Sequence, residues 1–149
     1  MLTYSQFLFS VQGRISRSQF WLRWVLPVLA ITLILIIILV AAAVSGNSET
    51  AAALSVILGI FFLVTLWPNI VVLVKRIHDR NKSGWLVLLY YVPAILYYIV
   101  GFAAGQQSPA AVILSLIAAA IGIWFFVEFG CKRGTVGAND YGADPVVGP

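Results

Sequence analysis

The Lys and Arg residues of this chain lie in three short segments, and four long apolar runs separate these segments. The nine basic residues are Arg14, Arg17 and Arg23, then Lys75, Arg76, Arg80 and Lys82, then Lys132 and Arg133. The two remaining connections, Ser45 to Thr50 and Gly105 to Pro109, contain no basic residue. Because Lys and Arg are retained in cytoplasmic loops, this alternation predicts four membrane crossings with both termini in the cytoplasm.

The composition excludes an ordinary soluble domain. Hydrophobic residues make up 62% of the 149 positions and charged residues 9%, whereas about a quarter of the residues of a soluble domain are charged. Each apolar run supplies the roughly 20 helical residues that cross about 30 Å of hydrocarbon. The runs lack the alternation of transmembrane strands. The predicted fold is therefore all-α, an integral membrane four-helix bundle.

The predicted organisation is a single membrane domain over residues 1–149. We expect the helices at about 21–44, 51–74, 85–104 and 110–129, and the cytoplasmic segments at about 1–20, 75–84 and 130–149. The first two helices and the last two share an order of aromatic, proline and terminal Lys-Arg residues. Two parallel helical hairpins are therefore a further hypothesis.

Several local patterns predict where helices begin. Residues 1–13 carry apolar side chains at helical spacing, which predicts a short interfacial helix. Ser16 and Gln19 have the spacing of a capping box, so the first transmembrane helix is expected to begin there. Ser108 followed by Pro109 predicts the start of the fourth.

Three polar residues, Arg23, Asn69 and Glu128, lie inside or at the edge of apolar runs. A charge at the bilayer centre costs roughly 2.5 to 3.5 kcal/mol, so we expect Arg23 and Glu128 to pair near the cytoplasmic side. Asn69 either joins two helices by a hydrogen bond worth about 0.6 to 2 kcal/mol or lines a polar notch. The hydrogen bond is the simpler hypothesis.

His78 precedes Asp79 in the second basic segment, which suggests an acid/base pair. Metal sites usually need three or four protein ligands, and this chain has one His and one Cys. It contains no Ser-His-acid spacing, phosphate-binding loop or dinucleotide fingerprint. We therefore expect no metal and no cofactor, and a structural His78 that caps or bridges to the C-terminal tail. The chain has no basic stripe with stacking aromatic residues, so nucleic-acid binding is not expected.

Three motifs carry the remaining polar residues. They are Gly-Arg-Ile-Ser-Arg-Ser-Gln-Phe-Trp at 13–21, Arg-Ile-His-Asp-Arg running into Ser-Gly-Trp at 76–85, and Gly-x-Asn-x-Tyr-Gly-x-Asp-Pro at 137–145. In this order they resemble the signatures of the bacterial inner-membrane family catalogued as domain of unknown function 805. The sequence departs from the family pattern at Lys75, Asn81, Lys82 and Leu86. The resemblance implies a multi-pass inner-membrane protein and implies no known reaction, substrate or ligand.

Because the three motifs lie on one predicted side of the membrane, we expect them to assemble into one cytoplasmic cap. The candidates for binding a ligand or lipid are Arg14, Arg17, Arg76, His78, Asp79, Arg80, Lys82 and Trp85. The residues expected to fold the cap and the tail are Ser16, Gln19, Asn139, Tyr141 and Asp144. We also expect the tail to fold back, with Asp140 or Asp144 facing an arginine of the first or second motif.

The predicted function is non-enzymatic binding by this basic cap. The partners expected are anionic membrane lipid or another phosphate-bearing ligand, since the planar arginine fork suits phosphate. A protein partner or a second copy of the chain is a further hypothesis. Two alternatives remain: a small transporter or channel subunit, and a membrane-bound enzyme that uses His78 with Asp79.

Overall fold

The computed structural model describes residues 3–146, and its regular secondary structure in this range is helical. Four of the helices are long and apolar enough to cross a bilayer. They are α2 (Arg17–Val44), α3 (Ser48–Asp79), α4 (Leu86–Ala104) and α5 (Pro109–Cys131), and a short α1 (Tyr4–Phe9) precedes them. The prediction of an all-α chain with four such helices is confirmed.

The observed helices differ from the predicted bounds mainly at the ends that carry polar residues. Helix α2 begins at Arg17, four residues earlier than predicted and directly after Ser16. Helix α3 continues to Asp79, so residues 75–79 belong to the helix and not to a loop. The polar side chains of this last turn have partners inside the protein, which explains why hydropathy placed its end too early.

The start of α5 agrees with the sequence prediction, and the extent of α1 does not. The Ser108 hydroxyl accepts a hydrogen bond from the Ala111 amide at 3.3 Å, and Pro109 follows as the first residue of α5. Helix α1 ends at Phe9, so the helix predicted over 1–13 is wrong beyond that residue. The first two residues of that prediction, and residues 147–149 of the predicted tail, lie outside the described residues.

Two of the long helices contain a π-helical turn. In α2 it spans Trp21–Val25, and in α5 it spans Phe126–Cys131, the last residues of the helix. Such turns are frequent at functional sites. The turn in α5 ends beside the polar residues described below.

The chain divides into two compact units. The first consists of Met1–Val11 and Ser18–Val72, and the second of Gln12–Arg17 and Leu73–Pro149. In the second unit α4 and α5 pack against each other. Its apolar core consists of Ile77, Phe125 and Phe129, with Leu73, Leu86, Val87 and Ile121 packed around them. All three sequence motifs contribute residues to this second unit.

Candidate functional site

The second unit carries a folded polar region, called the polar cap below, made of residues 12–17, 75–85 and 128–146. At its centre the Asp79 carboxylate lies between two arginines. Arg14 Nε and Nη2 donate to Asp79 Oδ1 at 3.1 and 3.0 Å, and Arg76 Nη1 pairs with Asp79 Oδ2. The side chains of Arg14, Arg76 and Asp79 are 1%, 0% and 3% exposed, respectively. Arg76 and Asp79 share one face of α3 because they are three residues apart.

Arg14 also joins the C-terminal tail to this centre. Its Nη1 donates to the carbonyls of Gly137 and Gly142 at 2.7 and 3.3 Å, and its Nη2 donates to the Thr135 carbonyl at 2.7 Å. One buried guanidinium from the first motif therefore contacts both the second motif, at Asp79, and the third.

Three arginines donate to backbone carbonyls at the end of α5 and just beyond it. The last carbonyls of a helix have no intrahelical partner and carry partial negative charge, so cations stabilise them. The pairs are Arg76 Nε with Phe129 O at 2.6 Å, Arg76 Nη2 with Lys132 O at 2.5 Å, Arg17 Nη1 with Cys131 O at 2.7 Å, and Arg80 Nη1 with Arg133 O at 2.5 Å. The arginines of the first two motifs thus hold the chain as it leaves α5.

The tail is fixed further by Asn139 and Tyr141. Asn139 Nδ2 donates to the His78 carbonyl and to Thr135 Oγ1, both at 2.9 Å. The Tyr141 ring stacks on the His78 imidazole, with centroids 3.9 Å apart and planes 6° from parallel. His78 therefore bridges to the tail, as the sequence predicted.

Asp144 has a different role from the one predicted. Its carboxylate accepts hydrogen bonds from the amides of Gly137 and Val146, both at 2.9 Å. These bonds lower the pKa of the Asp144 carboxyl below its usual 3.8. The expected ion pair of Asp140 or Asp144 with an arginine does not form among residues 3–146, where the salt bridges of the arginines go to Asp79 and Glu128. Arg14 of the first motif is nevertheless close enough for its charge to contribute to the lowered pKa of the Asp144 carboxyl.

A second ionic cluster surrounds Glu128 in the last turns of α5. Arg80 Nη2 and Lys82 Nζ lie 3.1 and 3.8 Å from Glu128 Oε1, and Lys132 Nζ lies 2.5 Å from Oε2. The Glu128 side chain is 7% exposed, whereas Arg80, Lys82 and Lys132 are 24%, 40% and 52% exposed. The sequence predicted an ion pair between Glu128 and Arg23. The structure instead surrounds it with basic residues that follow α3 and α5.

In the first unit, Asn69 joins two helices. Trp24 Nε1 on α2 donates to Asn69 Oδ1 on α3 at 2.7 Å. The nearby Thr65 hydroxyl donates to the Phe61 carbonyl of its own helix at 2.8 Å. These bonds match the simpler hypothesis for Asn69, a contact between helices.

The ligand-binding candidates therefore separate by burial into three groups, of which the half-buried one consists of His78, Arg80 and Lys82. Arg14, Arg76 and Asp79 are buried and hydrogen-bonded to one another or to the backbone. This corrects their assignment as ligand-binding residues, because their polar atoms face protein. Arg17 and Trp85 remain exposed.

No site role was predicted for residues 132–136, the stretch between α5 and the third motif. The Thr135 amide donates to the Asp79 carbonyl at 2.8 Å. A Cβ atom built on Gly134 would overlap the Asp79 carboxylate, so the close approach requires glycine. The Gly-Thr pair directly after Lys132-Arg133 was the available signal, since a small residue permits close backbone packing.

Comparison with known proteins places these motifs in a family. The family described as Protein of unknown function (DUF805) matches residues 8–143. The chain is 32% identical over 152 residues to the Uncharacterized protein YiiR of Escherichia coli strain K12, a match covering 96% of this chain and 90% of that protein.

Two further relatives come from the same strain. The Inner membrane protein YhaH is 24% identical over 138 residues, which covers 93% of this chain and 88% of YhaH. The Inner membrane protein YhaI is 27% identical over 89 residues, which covers 60% of this chain and 53% of YhaI. No solved structure matches. Because the family match includes the first two motifs and most of the third, this chain belongs to the DUF805 family of proteins of unknown function.

Proposed function

We propose that the chain is a multi-pass inner-membrane protein with both termini in the cytoplasm, and that its polar cap binds anionic lipid headgroups without catalysing a reaction. The names of YhaH and YhaI as inner membrane proteins support this location. The lack of any Lys or Arg in the connections 45–50 and 105–109, with all nine basic residues in or beside the other connections and termini, supports the orientation.

The observation that carries the proposal is the division of the basic residues of the cap by burial. Arg14, Lys75 and Arg76 are buried, and Arg80 is half-buried on Glu128. Arg14 and Arg76 hold the cap together. A second group, called the basic rim, consists of Arg17, Lys82, Lys132 and Arg133, and its members are exposed or half-exposed. A basic residue near an anionic leaflet contributes about 1 kcal/mol of attraction. The rim can make this contribution without unfolding the cap.

An exposed aromatic side chain supports the same interpretation. Trp85, directly before α4, is 78% exposed. Tryptophan is enriched where transmembrane helices meet the headgroup layer. Trp85 and the rim residue Lys82 are three positions apart, so the proposal places both at headgroup depth.

The geometry argues against the enzymatic alternative. A His-acid pair needs the carboxylate to orient the imidazole, but the two Asp79 oxygens face Arg14 and Arg76. The His78 ring stacks on Tyr141 and has its Nδ1 3.4 Å from the Gly13 carbonyl. Both side chains are better suited to fixing the cap than to proton transfer.

The transport alternative loses one of its supports. A polar notch at Asn69 favoured it together with Pro68, Glu128 and the tyrosines of α4, and the amide oxygen of Asn69 accepts the Trp24 indole hydrogen. We therefore do not propose transport.

The test is to compare the lipid retained by wild type and by a variant in which the four rim residues are replaced by Gln. Both proteins are extracted in mild detergent, and co-purified phospholipid is quantified by headgroup class. We expect wild type to be enriched in anionic lipid relative to the bulk membrane and the variant to lose that enrichment. Equal headgroup composition in the two folded proteins contradicts the proposal.

A further inference from the structure

We infer that Lys82 and Lys132, positioned on the Glu128 carboxylate beside Arg80, form a defined seat for the phosphate group of a lipid headgroup, with a preference for a phosphomonoester. This inference rests on the proposed function and deepens it, because it assigns a binding site within the basic rim.

The carboxylate of Glu128 holds the cations in place before any ligand binds. Lys132 follows Glu128 by one helical turn and donates to Oε2 at 2.5 Å, while Lys82 approaches Oε1 from the α3–α4 connection at 3.8 Å. The Lys82 ammonium also lies 5.9 Å from the centre of the Trp124 ring, within the range of a cation–π contact. Cations that are already positioned lose less side-chain entropy when a ligand arrives.

The two lysines keep donors available for a ligand. An ammonium group carries three N–H donors. Lys132 directs one of them to Glu128, and Lys82 lies beyond hydrogen-bond distance from the same carboxylate. Their side chains are 52% and 40% exposed, so water or a ligand reaches them. The Glu128 side chain is only 7% exposed, so the lysines and not the carboxylate are accessible to a ligand.

The charge of the cluster indicates the class of phosphate. Three cations around one carboxylate leave two positive charges at neutral pH. A phosphomonoester carries about −1.5 to −2 at pH 7 because its second pKa is near 6. A phosphodiester carries a single negative charge and leaves the cluster partly uncompensated. A monoester headgroup such as that of phosphatidic acid is therefore the better match.

The surroundings of the cluster favour a lipid source over a soluble one. Glu128 lies within the last turns of α5, an apolar helix of membrane-spanning length, and the exposed Trp85 is close in sequence to Lys82. Positive side chains at the end of such a helix extend to the headgroup layer. We therefore assign the phosphate to a lipid headgroup.

The experiment compares two double variants of the full chain that change the charge equally. Lys82→Gln with Lys132→Gln removes the seat, and Arg17→Gln with Arg133→Gln removes two other rim charges. Each protein is placed in nanodiscs that contain phosphatidic acid, phosphatidylglycerol and phosphatidylcholine in equal amounts. The protein is then released from the nanodiscs, and the lipid that stays bound to it is measured by native mass spectrometry. Thermal unfolding verifies that each variant is folded. If the Lys82/Lys132 double variant does not fold, the single variant Lys82→Gln replaces it.

We expect wild type to retain phosphatidic acid over phosphatidylglycerol, and the Lys82/Lys132 variant to lose this preference. Each removed lysine should lower phosphatidic acid retention about fivefold. The Arg17/Arg133 variant should keep the preference. A charge-conserving double variant, Lys82→Arg with Lys132→Arg, should keep it as well.

Three outcomes overturn parts of the argument separately. Equal losses in the two Gln double variants remove the seat but leave the proposed function intact. Unchanged lipid retention in both removes the proposed function as well. Displacement of bound phosphatidic acid by millimolar inorganic phosphate assigns the seat to a soluble ligand and removes the lipid assignment.

Discussion

Asp79 is the residue on which the three motifs converge. Its carboxylate compensates Arg14 and Arg76, and its backbone carbonyl accepts from the Thr135 amide. A buried ion pair contributes little over a well-packed apolar substitute, but the loss of one partner leaves a buried charge uncompensated. Asp79 is therefore important chiefly because its loss would leave Arg14 and Arg76 buried without a counter-charge.

We predict that Asp79→Asn strongly destabilises the cap. The substitution keeps the shape of the side chain and leaves two buried guanidinium groups without a counter-charge, which typically costs about 3 to 5 kcal/mol. Thermal unfolding of the purified protein should show a large decrease in the midpoint temperature. Asp140→Asn is the matched control, because that side chain is exposed. Similar midpoints for the two variants would show that Asp79 does not hold the cap.

The sequence could not identify this pairing. It offered five acidic residues as partners for nine basic ones, and Arg14 and Asp79 are 65 positions apart. Asp140 and Asp144 were the better candidates on local grounds, since they lie in a polar tail with turn-forming neighbours. Which carboxylate becomes buried depends on how α3 and α5 approach each other, and hydropathy contains no information on that.

The transmembrane helices were the most predictable elements, because hydropathy over 20 residues is a local property. Their polar ends were less predictable. Helix α3 runs five residues past its expected end because Lys75, Arg76, Ile77 and Asp79 in its last turn are buried in protein. The π-helical turns of α2 and α5 also have no clear sequence signal. The end of α5 was hard to predict for both reasons, because it is a polar helix end and it contains a π-helical turn. The arginines of the first two motifs contact this end.

The tail is an element whose fold depends on a titrating group. Asp144 accepts hydrogen bonds from the amides of Gly137 and Val146, and these bonds hold the pKa of its carboxyl below 3.8. A carboxyl with a depressed pKa stabilises the folded form above its unfolded pKa, and the contribution is lost as pH falls through the lower folded value.

We therefore predict that the tail loosens in acid, below about pH 3.8, and is unaffected between pH 5 and 8 as far as Asp144 is concerned. Hydrogen exchange of the Gly137 and Val146 amides should accelerate as Asp144 is protonated. In Asp144→Asn the side chain keeps one carbonyl acceptor but does not titrate, so this acid-dependent step should disappear. An unchanged pH profile in that variant would assign the transition to another acid, such as Asp79 or Glu128.

At the scale of the whole molecule, the sequence and the structure answer different questions. The distribution of Lys and Arg predicts sidedness without any knowledge of packing. The structure divides the same residues by burial: Arg14 and Arg76 are inside the cap, and the basic rim is outside it. Sidedness had made Arg14, Arg17, Arg76 and Lys82 equal candidates for a ligand, whereas Lys132 and Arg133 enter the rim only through their exposure in the structure. Burial reduces the candidates to those with free surface.

The orientation in the membrane is itself testable. We predict that single cysteines at Ser48 and Gln106 react with a membrane-impermeant maleimide in intact spheroplasts. Cysteines at Ser83 and Val136 should react only after permeabilisation. All four positions are exposed, so access depends on the side of the membrane and not on packing.

The background for this experiment must be Cys131→Ser, because the native cysteine is exposed at the end of α5. A pair of positions from each predicted side provides an internal control for labelling efficiency. Labelling at Ser83 in intact spheroplasts would place the second motif outside the cytoplasm. The basic rim would then face away from the leaflet that retains Lys and Arg, and both the orientation and the proposed headgroup binding would have to be abandoned.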